Sequence, residues 1–218
     1  MTMANEQLIF DLGLDATQGF VEGIANENAR NALAVSSKLI VIGAPRSGKS
    51  SLAKLASSRH GARIVQSVAD VDQVITSDSH GDIVIDDVEQ FLKINGAEKA
   101  LFHLFNYATN QSLGLKLFSA QSPMDWSIDL PDLRSRIDIM PQVEIGAPDD
   151  AMVGILLAQG FHARGVLVSP ELVEYVAKRV ERSYKAIENV IIALDIHARR
   201  SQSKVSRGLA KSYFEDLI

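Results

Sequence analysis

The chain has 218 residues, 46% hydrophobic and 22% charged, the balance of a globular protein with room for one large domain or a domain with an appendage. It has no cysteine, which excludes a disulfide framework, thiolate zinc sites and a cysteine nucleophile, and its formal charge of -5 argues against a protein built for non-specific duplex binding. No apolar run approaches the roughly 20 residues of a membrane span, and MTMANEQLIF lacks the basic-then-apolar order of a signal peptide, so a cytoplasmic protein with no membrane partner is expected.

Residues 1–14 read as a short tail, in which Asn5 to Leu12 mixes apolar and polar side chains ahead of Gly13. From Leu39 the pattern is α/β. LIVI (Leu39 to Ile42) is a β-branched apolar run suited to a strand covered on both faces. A glycine-rich turn follows, then SLAKLASS, with Leu52, Leu55 and Ala56 spaced for a helix face. RIVQSV (Arg63 to Val68) predicts a short strand, and DIVIDD (Asp82 to Asp87) a buried strand ending in two carboxylates. Ala97 to Asn110 carries Leu101, Phe102, Leu104, Phe105 and Ala108 at helical spacing, and LKLFSA (Leu115 to Ala120) and PQVEI (Pro141 to Ile145) predict two more strands. Strands alternating with helices imply an α/β fold with a five-stranded parallel sheet, here assigned to residues 15–148.

Beyond Pro148 everything reads as helix, and residues 149–218 are assigned to a helical subdomain. Asp149 and Asp150 favour a helix N-terminus, and Gly165 suits that helix's end. Ser169-Pro170-Glu171 is a strong helix start ahead of the stripe Leu172, Val173, Val176 and Val180. Ser183 is placed to cap a third helix through Ala198, and a last helix runs from Ser206.

Gly43-Ala-Pro-Arg-Ser-Gly48-Lys49-Ser50 matches G-x-x-x-x-G-K-[ST] in full. Average residue usage gives on the order of one chance match per hundred chains of this length. It follows a predicted strand and opens a predicted helix, which is the context the motif needs. Glycines let the backbone wrap close to phosphate oxygens, and the helix N-terminus presents free N–H groups. Gly43, Pro45, Arg46, Ser47, Gly48, Lys49, Ser50 and Ser51 are therefore candidate nucleotide-binding residues, with Lys49 facing the β- and γ-phosphates and Ser50 a Mg2+ ligand. Asp86-Asp87, at the end of IVI, completes a Walker B element. Asp86 is expected to hold the metal, and Asp87 occupies the place of the catalytic base. Asp132-Leu-Arg-Ser-Arg136 stands before the last strand. In P-loop ATPases that work in pairs or rings, an arginine so placed reaches the neighbouring subunit's γ-phosphate. The five histidines show no ligand spacing, and Trp126 in a polar loop is best read as a partly buried anchor.

With these three motifs in order, the chain from about Leu33 onward resembles the AAA+ ATPase domain of the DnaA family, and most closely the short Hda-like homologues of that initiator. The resemblance extends through Leu101 to Pro123, similar to the family's helix and sensor strand, and through Asp129 to Ile137, similar to the segment bearing its arginine finger. It implies that Arg136 is the finger, that ADP or ATP with Mg2+ is bound, and that the partners are DnaA and the DNA polymerase III sliding clamp (beta subunit). Homo-oligomerisation is left open. Gln7-Leu8-Ile9-Phe10-Asp11-Leu12 is similar to the clamp-binding peptide of Hda-like proteins, with Gln7, Leu8, Phe10 and Leu12 as its contacts. The sequence stops at Ile218, where the lid ends, with nothing left to read duplex DNA, so DNA is expected as an indirect partner only.

Two positions depart from the family. Ala120 stands where an acid is usual, and Lys185 where the lid's sensor arginine is expected. Lysine keeps the charge but loses the guanidinium fork. Nucleotide binding with weak intrinsic hydrolysis is the expectation, and Arg182 is the alternative sensor if the helix starts elsewhere. The function implied is a regulator of replication initiation that docks on the clamp and stimulates ATP hydrolysis by DnaA. The alternatives are a helicase-loader-like ATPase acting on single-stranded DNA and a non-hydrolytic adaptor.

Overall fold

The computed structural model describes residues 22–77 and 81–216, so the tail with Gln7, Leu8, Phe10 and Leu12 lies outside the described residues. Among the described residues two units can be distinguished, one Asn26–Gly146, the other residues 147–216 together with residues 22–25.

In the first unit the apolar runs become five parallel strands, β1 (Lys38–Gly43), β2 (Arg63–Val65), β3 (Ile83–Ile85), β4 (Leu115–Ser119) and β5 (Gln142–Ile145), ordered β2-β3-β4-β1-β5. β3 and β4 are buried along their whole length, as runs covered on both faces must be. The sheet's helices are α1 (Ile24–Val35), α2 (Lys49–His60), α3 (Val68–Thr76), α4 (Val88–Phe91), α5 (Ala97–Asn110) and α6 (Pro131–Asp138), with a 3-10 turn at Pro123–Asp125. Ile40, Ile85, Leu101, Leu104, Leu117 and Leu133 lie in one apolar cluster that joins the sheet to α5 and α6.

Several elements differ from expectation, and α3 and the short α4 have no counterpart among the sequence predictions. The strand expected through Val68 ends at Val65, because Ser67 and Asp70 form a capping box that starts α3. The Asp70 carboxylate accepts the Ser67 N–H at 2.8 Å, and Ser67 Oγ accepts the Asp70 N–H at 3.2 Å. α1 has no counterpart among the sequence predictions. It buries only Asn26 and Ala29, too little to leave an apolar stripe in the sequence. Lys116 is a polar residue inside a fully buried strand. Its amine donates to the carbonyls of Ser36 and Ser37, and burial lowers its pKa against the pull of Asp82.

The second unit is helical: α7 (Asp150–His162), α8 (Pro170–Ala177), α9 (Tyr184–Arg200) and α10 (Arg207–Glu215). Each begins at a side-chain cap, with Asp149, Ser169, Ser183 and Ser206 accepting the N–H groups of Met152, Leu172, Ala186 and Leu209. Gly165, at φ +72°, turns the chain away after α7, and its N–H closes on the His162 carbonyl at 2.8 Å. Leu157, Phe161, Leu172, Val176, Ile187 and Leu194 form this unit's core. Beside it, Asp195 is buried in α9 and accepts from Arg199 Nε at 3.0 Å and Arg164 at 3.4 Å.

Candidate nucleotide site

Because all five strands run the same way, their C-terminal ends share one edge of the sheet, the edge where open α/β sheets hold ligands. The register fixes what meets there. Ile85 pairs with Leu117 and Ile42 with Ser119, so Gly43, Asp86-Asp87 and Ser119-Ala120 leave β1, β3 and β4 side by side.

The loop between β1 and α2 is tight. A side chain on Gly43 would place Cβ 2.5 Å from Ser47 Oγ and 3.1 Å from Ile145 Cδ1, so only glycine fits. Gly48 (φ +88°) and Arg46 (φ +71°) take the left-handed backbone that curls the loop. Such alternation turns successive N–H groups inward to make an anion-binding concavity at the start of a helix. Lys49, the first residue of α2, is 6% exposed, and its amine donates to the carbonyls of Gly43 at 2.7 Å and Ala44 at 3.0 Å. Ser47 is buried, and among the described residues its hydroxyl has no hydrogen-bond partner. Ser50 and the loop residues Pro45 and Arg46 are exposed, and Ser51 follows in the first turn.

Asp87 follows β3 with φ +53° and takes the N-cap position of α4 without a side-chain capping bond, its N–H reaching Asp86 Oδ1 at 3.1 Å. Desolvation raises the Asp87 pKa, reinforced by the like charges of Asp86 and Glu89 and opposed by Lys49. Desolvation lowers the Lys49 pKa, while Asp87, Glu89 and Asp86 all pull it back up. The loop lysine and the β3 acids therefore share one electrostatic site. Glu89, absent from the sequence-derived candidates, belongs to it as well. Glu89 Oε1 accepts the Ala120 N–H at 2.9 Å, and among the described residues Oε2 is buried without a partner. Its signal was a third acid three residues after Asp86 in IDDVEQF, which one helical turn carries back to the β4 end.

The β4 end is held from the other side. Trp126 is 3% exposed and donates Nε1–H to Ser119 Oγ at 3.1 Å, the anchor expected of it. Arg134 donates to the carbonyls of Pro123, at 2.8 Å, and Trp126, so it braces this turn. Arg136, two residues on in α6, sits over the rings of Phe102 and Phe105 at 5.0 and 5.2 Å. In the helical unit, Ser183 caps α9, which places exposed Lys185 in its first turn. Arg182 precedes the cap and pairs with Asp150 at 2.5 Å.

No family model matches the chain. The DnaA initiator of Flavobacterium psychrophilum is 28% identical over 136 residues, 62% of this chain and 28% of that protein. The chain therefore spans under a third of that relative's length. Among solved structures, domain III of Thermotoga maritima DnaA superposes with a TM-score of 0.65 at 18% identity, covering 93% of this chain and 96% of that one. AMPPCP-bound DnaA from Aquifex aeolicus gives a TM-score of 0.57 at 19% identity, covering 81% and 63%. Among the described residues no helix is long and apolar enough to cross a membrane. With its five-stranded parallel sheet and glycine-rich loop, the chain has the AAA+ fold, and its sequence is similar to that of the DnaA initiators.

Proposed function

We propose that this chain is a cytoplasmic, Hda-like regulator of replication initiation that binds ADP or ATP with Mg2+ and stimulates hydrolysis by DnaA in trans. The observation that carries the reading is the convergence of Lys49, Asp86 and Asp87 on one sheet edge of a DnaA-like AAA+ fold.

The residues fit a nucleotide. Left-handed Arg46 and Gly48 turn the loop amides toward an anion, and Lys49 already sits among those residues with its charge desolvated. Ser50 and Asp86 are the residues to hold Mg2+, which would offset charge on the β- and γ-phosphates. Asp87, its proton affinity raised by desolvation and then by the like charges of Asp86 and Glu89, suits the role of base toward an attacking water. Lys185, exposed in the first turn of α9, is a candidate phosphate-binding cation of the helical unit. Arg136 is the finger offered to a partner's site. Contact with ring faces consumes none of its N–H donors, which leaves them for phosphate oxygens. Gln7, Leu8, Phe10 and Leu12 supply the clamp peptide.

The test is ATP turnover measured for this protein alone, with DnaA, and with DnaA plus clamp-loaded DNA. The expected result is little turnover alone and strong stimulation in the full mixture that disappears with Arg136→Ala. Such arginines contribute about 10³ to 10⁵ in rate. Undiminished stimulation by the Arg136→Ala variant overturns the finger assignment.

A further inference from the structure

The residue that follows Ser119 at the end of β4 is alanine, whose side chain brings no polar group to that edge of the sheet. Two observations show what stands there. The Ala120 N–H donates to Glu89 Oε1 at 2.9 Å, which ties a residue of α4 to the strand end across 31 positions of sequence. The second oxygen of the same carboxylate is buried, yet among the described residues it has no hydrogen-bond partner. A carboxylate oxygen is a strong acceptor, and leaving one buried and unmatched is costly unless a donor or cation meets it.

The surroundings narrow the role. α4 begins directly after Asp86-Asp87, so Glu89 lies within one turn of the β3 acids. Its charge is felt at both Lys49 and Asp87. It also borders an open cavity of about 100 Å³ together with Lys93, Gln121 and Trp126. A glutamate serving only as a brace would need its bond to Ala120 and nothing more. This one adds a negative charge to a site that must accept a polyanion.

We propose that Glu89 is a third carboxylate of the nucleotide site, delivered from α4 to the strand end where the chain carries Ala120, and that its charge makes nucleotide binding depend on a divalent cation. The proposal rests on the nucleotide-site reading above. Asp86, Asp87 and Glu89 all act on Lys49, so each of these charges opposes a bare diphosphate and a divalent cation offsets that opposition. Glu89 is a positioning group here, setting the field in which phosphate and cation are held.

The test uses the full chain and ADP as the probe, titrated by calorimetry at low ionic strength, once in EDTA and once in Mg2+. Glu89→Gln keeps an oxygen to accept the Ala120 N–H and removes only the charge. Its affinity for ADP in EDTA should rise on the order of three- to tenfold, the scale for deleting one like charge in a half-solvated site. The gain in affinity on adding Mg2+ should shrink by a similar factor. Adding Ala120→Asp to that variant restores a carboxylate at the strand end and should restore the weak binding in EDTA. Unchanged affinity in both media overturns the proposal while leaving the nucleotide site intact, as does a melting temperature lowered with affinity unaltered, the mark of a brace. A parent protein that binds no ADP in Mg2+ overturns the site reading and this proposal with it.

Discussion

Arg134 and Arg136 are separated by one residue, yet the structure gives them different work, and replacing each by alanine should separate the two. Arg134 donates to the Pro123 and Trp126 carbonyls and so closes the turn that seats Trp126 against Ser119. Hydrogen bonds from a charged donor contribute about 1.5–3 kcal/mol each, and these carbonyls are partly hydrated once the arginine is gone. Arg134→Ala should therefore cost about 2–3 kcal/mol. At roughly 2–4 °C per kcal/mol for a chain of this size, the melting temperature should fall by about 4–12 °C. Arg136 touches two ring faces, each contact giving about 0.5–1 kcal/mol at a half-exposed position. Arg136→Ala should therefore cost about 1–2 kcal/mol and lower the melting temperature by about 2–8 °C, less than Arg134→Ala. Arg134→Lys should fall between, since one ammonium cannot span two carbonyls as the planar fork does. Differential scanning calorimetry of the three variants decides the order. A melting curve for Arg134→Ala that overlays the parent, or a larger loss for Arg136→Ala, would refute the division of roles.

Three other outcomes are expected. Lys49→Ala should abolish ADP binding in calorimetry while the protein still melts cooperatively, and retained affinity would remove the loop from the nucleotide site. Replacing Gln7, Leu8 and Phe10 together by alanine should eliminate clamp binding in a pull-down without changing the melting temperature, whereas a large thermal loss would mean that these residues pack on the body. Asp195 has its pKa lowered, chiefly by its hydrogen bond to Arg199 and also by Arg164. A depressed folded-state pKa contributes stability above the unfolded value of about 3.9 and loses it as pH falls through the folded value. The parent should accordingly lose melting temperature below about pH 4, and Asp195→Asn, lacking that contribution at neutral pH, should show a shallower decline. Parallel curves for the two proteins would show that the pair does not couple folding to pH.

What could be read in the sequence was what is local in the chain. The phosphate loop is eight consecutive residues whose glycines and lysine are required by backbone conformation and charge, and the structure shows why: no side chain fits at Gly43, and Gly48 takes φ +88°. The helix starts after Asp149, Ser169, Ser183 and Ser206 were equally legible, because a cap is a contact between neighbours. α1 was not, since burying only Asn26 and Ala29 imposes no period on the sequence. The end of β2 was missed for a different reason. Val65 and Val68 look like one apolar run until the reciprocal bonds of Ser67 and Asp70 are seen to start a helix between them.

The site itself divides along the same line. Asp86 and Asp87 announce themselves at the end of an apolar strand, but Glu89 acquires meaning only through Ala120, 31 residues away and brought close by the β3–β4 register. Composition or spacing along the chain could not show that pairing, because it depends on which strands are neighbours. It also changes how the alanine is read. Taken alone, Ala120 is a missing acid and an argument for a weakened site; beside Glu89, it is the small residue that leaves its amide open to a carboxylate from another element. Under the proposed reading, the charge remains at that edge of the site but is tied to α4, whose first turn begins at Asp87. Any movement of α4 would then shift Asp87 and Glu89 together, so the β3 end and the β4 end should respond to bound phosphate as one body.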